Sequence, residues 1–381
     1  MFKRSIEPII RRFAEIYSIV GITGPRQSGK TTLARSVFPH LPYVNLENLD
    51  TRVLAQGDPR AFLARYNKGG IFDEIQHVPE LLSYLQQIVD ESPEKGRYVI
   101  TGSQNFALSH HVAQSLSGRI GMTTLLPLSL YELGMPTNDM SAAIFQGGYP
   151  GLYHNKMHPV EFYPSYIQTY LERDVRQLKN IENLGRFQNF VKLCAGRIGQ
   201  VVNYSSLAQD ADVSHTTVRQ WLTILEASYL IFLLQPFHEN FNKRLIKNPK
   251  LYFYDTGLAC SLLGLEQKGQ IDTHYLRGNL YENIVILEIL KGRLNKGLPG
   301  NLYFWRDLTG HEVDLIAEWG GSLKAIEIKA SATFQPSLVK NVNYFNTLTT
   351  RSNGYLIYMG KEEGVYVNNT LVPLDKIHDL L

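Results

Sequence analysis

The apolar positions of this chain change their period along its length, and the changes mark out its elements. Ile16-Tyr-Ser-Ile-Val-Gly-Ile22 is a dense apolar run with the length of a buried strand. Behind it, Thr31-Thr-Leu-Ala-Arg-Ser-Val-Phe38 repeats its apolar residues at helical spacing. The alternation continues. Tyr43-Val-Asn-Leu46 reads as a strand, and Asp58 to Tyr66 as a helix with Asp58 at the N-cap and Pro59 in the first turn. Gly69 to Glu74 reads as a strand ending in two acids, Pro79 to Val89 as a helix, and Arg97 to Gln104 and Met122 to Leu126 as two more strands. Short strands separated by helices predict an α/β fold with a parallel sheet, whose ligands gather at the carboxyl ends of the strands.

After the turn-rich stretch Gln146 to Leu152 the pattern becomes helical, over His158 to Asn180 and Phe187 to Arg197. Tyr204 to Ala211 and Thr216 to Ala227, joined by a turn at Asp212 and capped by Ser214, predict a helix-turn-helix. Tyr229 to Leu234 and Lys250 to Tyr254 follow as the strands of a wing. The second helix offers His215, Thr217, Arg219 and Gln220 to a DNA groove, and the run Asn242 to Lys250 offers cations to phosphate. The other reading of this winged helix is a structural lid. A further helix, Gly278 to Leu290, precedes strands at Leu302–Arg306, His311–Ala317, Leu323–Lys329 and Gly354–Met359, with a hairpin turn at Trp319-Gly-Gly-Ser322. The predicted organisation is 1–150, 151–270 and 271–381.

The strand-to-helix junction at Ile22 carries Gly24-x-x-x-x-Gly29-Lys30-Thr31, the phosphate-loop spacing. Two glycines let the backbone N–H groups converge on a phosphate chain, and the positive end of the helix adds to their field. The loop residues Gly24, Pro25, Arg26, Gln27, Ser28, Gly29, Lys30, Thr31 and Thr32 are therefore the expected ATP cradle. Lys30 is expected to reach the outer phosphates and Thr31 to hold Mg²⁺. Asp73, at the end of its strand, is expected to hold the same ion, with Glu74 polarising the attacking water. Ser103 or Gln104 is placed to sense the outer phosphate. Arg119, beside a glycine ahead of a strand, is expected either as an arginine finger, in cis or from a neighbouring subunit, or as a surface charge.

A second constellation lies far downstream. Glu327 and Lys329 are two apart on one strand and share a face, while Asp314 stands on the paired strand. This is the PD-(D/E)xK nuclease pattern, and it predicts a restriction-endonuclease-like α/β domain in which Asp314, Glu327 and the helical Glu282 hold a second divalent ion, Mg²⁺ or Mn²⁺, and Lys329 steadies developing charge.

Gly24 to Thr32, Phe72-Asp-Glu74, Thr101-Gly-Ser103, Ser117-Gly-Arg119 and Pro127-Leu-Ser-Leu-Tyr-Glu132 together resemble the prokaryotic AAA-type P-loop ATPases fused to a DUF4143 domain, related to the archaeal ATPase and STAND groups. The resemblance spans nearly the whole chain and implies an ATP-binding AAA-like core. Tyr252, Asp255 and Gly257 match a habit of the same family, without an assigned chemistry.

Composition narrows the partners. At 381 residues with 44% hydrophobic and 19% charged residues, the chain is globular and long enough for several domains. A net charge of +3 is too mild to argue for nucleic acid globally, so a DNA partner has to be read from local patches. Two unpaired cysteines exclude a disulfide framework and a cysteine zinc site. No apolar stretch is long enough to span a bilayer, which leaves a cytoplasmic protein without a membrane partner as the expectation, with homo-oligomerisation open. Two functions remain: an ATPase acting on DNA through the winged helix and a metal-dependent nuclease-like domain, or a nucleotide-controlled switch with a non-catalytic C-terminus.

Overall fold

The computed structural model describes residues 2–103, 116–135, 139–170, 183–238 and 246–380. The chain divides into two compact units, one of Met1–Leu128 with Ala227–Tyr229 and Leu294–Leu298, the other of Ser129–Glu226, Leu230–Arg293 and Pro299–Leu381. The stretches 151–270 and 271–381, separate in the sequence reading, share the second unit.

The first unit is built on five parallel strands: β1 (Ile19–Thr23), β2 (Tyr43–Asn45), β3 (Gly70–Asp73), β4 (Tyr98–Gly102) and β5 (Ile120–Thr124). Their order is β2-β3-β4-β1-β5, so β1 is central and β2 and β5 are the edges. Successive residues point to opposite faces and bury against different helices. Phe72 and Ile100 join Leu81, Leu82 and Leu85, while Ile71 and Val99 join Leu33, Val37 and Ile10. Both faces are covered, which is why these strands read as continuous apolar runs. The N-terminal helix Glu7–Ile16 was not anticipated, although Pro8 in its first turn and Ile10 on its buried side were available signals. β5 begins at Ile120, earlier than expected, because its first residue pairs with the first residue of β1.

The second unit centres on a mixed sheet of eight strands: β6 (Ile231–Pro236), β7 (Lys250–Phe253), β8 (Leu302–Arg306), β9 (Glu312–Trp319), β10 (Ser322–Lys329), β11 (Ser352–Tyr358), β12 (Gly364–Tyr366) and β13 (Asn369–Pro373). Helix Arg277–Asn295, strands β8, β9 and β10, helix Lys340–Asn346 and strand β11 follow one another in the chain. β9 and β10 form the expected hairpin, with Gly320 and Gly321 at φ 55° and 86° in the two-residue turn.

The helix-turn-helix region contains helices Tyr204–Asp210 and His215–Ala227, with Asp212 left-handed in the turn at φ 52°. Ser214 caps the second helix, its Oγ accepting from Thr217 N at 3.0 Å. The strands expected as a wing are the edge of the eight-stranded sheet: β6 pairs antiparallel with β7 and, through Gln235 and Pro236, parallel with β8. Residues 171–180 of the expected helix after His158, and 242–245 of the basic run, lie outside the described residues.

Candidate functional site

The carboxyl ends of β1, β3 and β4 meet in the first unit, and the phosphate loop leaves from β1 there. Gly24 has φ 144°, and a Cβ on it would lie 2.1 Å from Leu125 O, so only glycine lets the loop pass so close to the end of β5. Gly29, at φ 95°, opens helix Lys30–Val37. The buried Arg4 straps this loop in place, donating from Nη1 to Ser28 O at 2.8 Å and from Nη2 to Leu126 O at 2.7 Å. Lys30 Nζ donates to Gly24 O at 3.0 Å and Pro25 O at 2.8 Å, so its ammonium lies over the loop. Ser28 Oγ is buried in the loop with no protein partner. Arg26 pairs with Glu47 at 3.8 Å. Gln27 holds φ 58°, a left-handed turn within the cradle, and Thr32 follows Thr31 in the first turn of the helix.

Asp73 is buried and receives three hydroxyl groups. Thr31 Oγ1 and Tyr43 OH each donate to Oδ2 at 2.8 Å, and Thr101 Oγ1 donates to Oδ1. Glu74 follows at φ 57°, a strained left-handed conformation for a side chain. Its Oε2 accepts from Ser103 Oγ at 3.0 Å and from the Gln76 amide, which also donates to Ser103 Oγ at 3.2 Å. Burial pushes the Glu74 carboxyl up, but Lys30, Gln76, Arg26 and Ser103 together outweigh it and hold it below the usual carboxylate range. A charged base, a buried acid with hydroxyl donors and a lysine over a glycine loop thus occupy one end of one sheet. Gln104 lies outside the described residues.

Arg119 is elsewhere. Its backbone O accepts from Ile19 N at 3.1 Å, which puts it at the amino ends of β1 and β5. Four strand residues, roughly 13 Å, separate that end from Thr23 and the loop. Its guanidinium pairs with Asp90, Nη2 to Oδ2 at 2.9 Å, on the surface. The geometry does not bring Arg119 to the loop of its own chain.

The downstream constellation comes together within the second unit. Lys329 Nζ lies 3.1 Å from Asp314 Oδ2 and 2.7 Å from Glu327 Oε1, on the shared face that the two-residue spacing required. Asp314 Oδ2 also accepts from Ile328 N at 2.8 Å, closing the end of the β9–β10 ladder. Burial and then Asp314 push the Glu327 carboxyl up to about 8. Glu327 Oε2 is buried without a partner. Glu282 accepts from Tyr252 OH and from Lys250 Nζ at 3.0 Å, and Lys250 also pairs with Glu312 at 2.5 Å. Burial raises the Glu282 carboxyl and Asp314 adds to the rise, so these acids sense one another. Among the described residues, no group of three or more His, Cys, Asp or Glu side chains is gathered to hold a metal ion. The carboxylates expected as metal ligands are bonded to lysines instead, and Lys250, expected as a surface cation for phosphate, is buried among them.

Tyr43, Thr101, Gln76 and Arg4 were not assigned roles from the sequence. Thr101 stands inside a motif that was recognised, but the other three carry no local pattern that marks them. No helix among the described residues is long and apolar enough to cross a membrane.

Comparison with known proteins finds three family matches along the chain. Residues 17–134 match an AAA domain, 137–269 the domain of unknown function DUF8612, and 277–377 the domain of unknown function DUF4143. An uncharacterized protein of Mycobacterium tuberculosis is 31% identical over 345 residues, covering 89% of this chain and 76% of that one. One of Methanocaldococcus jannaschii is 25% identical over 329 residues, covering 77% and 71%. A solved Walker-type ATPase of Pyrococcus abyssi aligns with TM-score 0.48 and 17% identity, over 69% of this chain and 96% of that one. With the phosphate loop, the Asp73–Glu74 strand end, the AAA and DUF4143 matches and the 31% identical mycobacterial relative, the chain belongs to the family of AAA-domain P-loop ATPases that carry a C-terminal DUF4143 domain.

Proposed function

We propose that this chain hydrolyses ATP at the carboxyl ends of β1, β3 and β4, and that nucleotide turnover switches what the rest of the chain engages. The observation that carries the reading is the hydroxyl-bonded Asp73 beside the charged Glu74, opposite Lys30 and Thr31. The residues fit ATP and Mg²⁺. Ser28 Oγ waits without a partner inside the loop, and the oxygen donors of Thr31 and Asp73 suit a hard cation. Bound Mg²⁺ supplies charge neutralisation at the phosphates. The loop from Gly24 to Thr32 offers its N–H groups to the phosphate chain, with Lys30 exchanging the Gly24 and Pro25 carbonyls for phosphate oxygens. Glu74 takes the proton of the attacking water, and Ser103, bonded to Glu74, couples that base to the outer phosphate. Arg119, at the far end of its own sheet, is left to the site of a second copy or to its surface pair with Asp90.

A second reading adds DNA as the engaged partner. It is favoured by His215, Arg219 and Gln220, which are exposed on helix His215–Ala227, while Thr217 is half-buried and bonded to Ser214; the Arg219 guanidinium lies 4.3 Å from the centre of the Tyr204 ring. In both readings the C-terminal strands act as a docking scaffold.

The test is phosphate release from ATP with and without single- and double-stranded DNA across a salt series. Mg²⁺-dependent release by the chain alone is the expected result, and its absence would sink the ATPase reading. Stimulation that fades with salt supports DNA as the partner; release indifferent to DNA removes it.

A further inference from the structure

The acid cluster of the second unit contains its own cations. Four carboxylates enter it: Glu282 from helix Arg277–Asn295, Glu312 and Asp314 from β9, and Glu327 from β10. Two ammonium groups divide them. Lys329 takes Asp314 and Glu327 at 3.1 and 2.7 Å, and Lys250 takes Glu282 and Glu312 at 3.0 and 2.5 Å. Arg306 Nη1 adds a third charge at 3.2 Å from Glu312 Oε2.

Lys250 is the unusual member. Its side chain is 3% exposed, and it comes from β7, which lies outside the stretch 277–377 that supplies the acids. Its backbone is held on both sides, opposite Leu234 in β6 and opposite Val201 in an isolated bridge. Its Nζ lies 5.6 Å from the centre of the Phe304 ring. Separating this ammonium from its carboxylates would cost the lysine and Glu282 a buried charge partner each.

A divalent ion needs several oxygens turned toward one point and no competing cation on them. Here Glu282 already serves Lys250 and Tyr252, and Asp314 already serves Lys329 and Ile328 N. Glu327 Oε2 is buried without a partner, but among the described residues no group of three or more His, Cys, Asp or Glu side chains is gathered to hold a metal ion.

We propose that Lys250 and Lys329 are the resident cations of this cluster, so that the native cluster is closed to divalent metal, and that removing the Lys250 charge frees Glu282 and Glu312 to take one. Lys250 thereby ties the strand before the DUF4143 stretch to its acids. This inference stands apart from the ATPase reading and is tested without ATP.

Mn²⁺ binding to the nucleotide-free full chain, followed by electron paramagnetic resonance, is compared for wild type, Asp314→Asn, Lys250→Met and the double variant Lys250→Met with Glu282→Gln, with circular dichroism to establish folding. Wild type and Asp314→Asn are expected to bind Mn²⁺ alike. Lys250→Met is expected to gain one site at least ~10-fold tighter than any in wild type, lost again in the double variant. A wild-type Mn²⁺ site that disappears in Asp314→Asn overturns the proposal, and so does a folded Lys250→Met that gains none. If Lys250→Met does not fold, Lys250→Gln replaces it, and the comparison of wild type with Asp314→Asn decides by itself.

Discussion

Tyr43 and Asp73 are joined by a 2.8 Å hydrogen bond from the edge strand β2 to the end of β3, and the phenol shares its acceptor oxygen with Thr31. The register that pairs Asn45 with Asp73 sets Tyr43 two residues back, on the same face of β2 as Asn45. When Thr31 turns its hydroxyl to a metal, Tyr43 and Thr101 still fix the Asp73 carboxylate. Tyr43→Phe keeps the ring against the Arg35 guanidinium, 5.0 Å from its centre, and removes only the donor. It is expected to raise the Mg²⁺ concentration for half-maximal binding of a fluorescent ATP analogue by ~5-fold, the equivalent of one hydrogen bond of about 1 kcal/mol. Binding in EDTA should not change. An unchanged Mg²⁺ dependence would show that Tyr43 does not position Asp73.

Lys30 and Glu74 separate binding from turnover. Lys30→Ala is expected to abolish tight nucleotide binding, because the ammonium lying over the loop is lost. Glu74→Gln is expected to bind ATP normally and to slow hydrolysis by about 10²-fold or more, as removal of a general base does. Equilibrium binding and single-turnover phosphate release distinguish the two, and normal hydrolysis by either variant refutes its assigned role.

Arg119 lies at the amino end of the sheet that carries the loop at its carboxyl end. Arg119→Ala is therefore expected to slow turnover at least ~10-fold through a neighbouring copy, in line with the size of arginine-finger effects. Mixing Arg119→Ala with Lys30→Ala should restore part of the activity that each lacks alone, because one brings an intact loop and the other an intact guanidinium. Mixtures no more active than the sum of their parts would leave Arg119 as a surface partner of Asp90.

Glu226, near the end of helix His215–Ala227, accepts from Leu233 N at 3.2 Å, and burial pushes its carboxyl from 4.5 up to about 7. A carboxyl raised on folding stabilises the fold fully below the unfolded value, and that contribution is lost as pH rises through the folded one. Glu226→Gln keeps an acceptor for Leu233 and carries no charge. It is expected to be more stable than wild type at pH 8, on the order of 2 kcal/mol after allowing for partial exposure, and to match it near pH 4.5. Thermal melts at both pH values check this, and an equal gap at both would remove the burial explanation.

The phosphate loop was legible because its constraint is local: Gly24, Gly29, Lys30 and Thr31 must stand at fixed spacing for the backbone to turn. The two acids at the end of β3 were legible for the same reason. What surrounds them was not, because it depends on which strands become neighbours. Tyr43 reaches Asp73 only through the β2–β3 register, and Arg119 is remote only because β5 starts level with β1. The C-terminal acids were placed together correctly by strand spacing, but their partner Lys250 arrives from a strand more than thirty residues before Glu282, which no spacing rule joins to them. Asp255 shows the reverse case, a motif recognised without a role. The structure gives it one: it caps helix Thr256–Leu262 through Leu258 N at 2.9 Å, and accepts from Gly148 N at 2.7 Å and Tyr163 OH at 2.6 Å. It fastens the turn after helix Met140–Gln146 to the core.

The pairing of β6 with β8 fixes how this protein can be divided. A fragment starting at residue 271 would carry β8 with a bare edge, hydrogen-bonding groups and apolar faces uncovered, and would meet its own copies there. The portable piece, in an expression vector or in a gene rearrangement, is therefore longer than the sequence family 277–377 that marks it, and must bring β6 and β7 along as its selvedge.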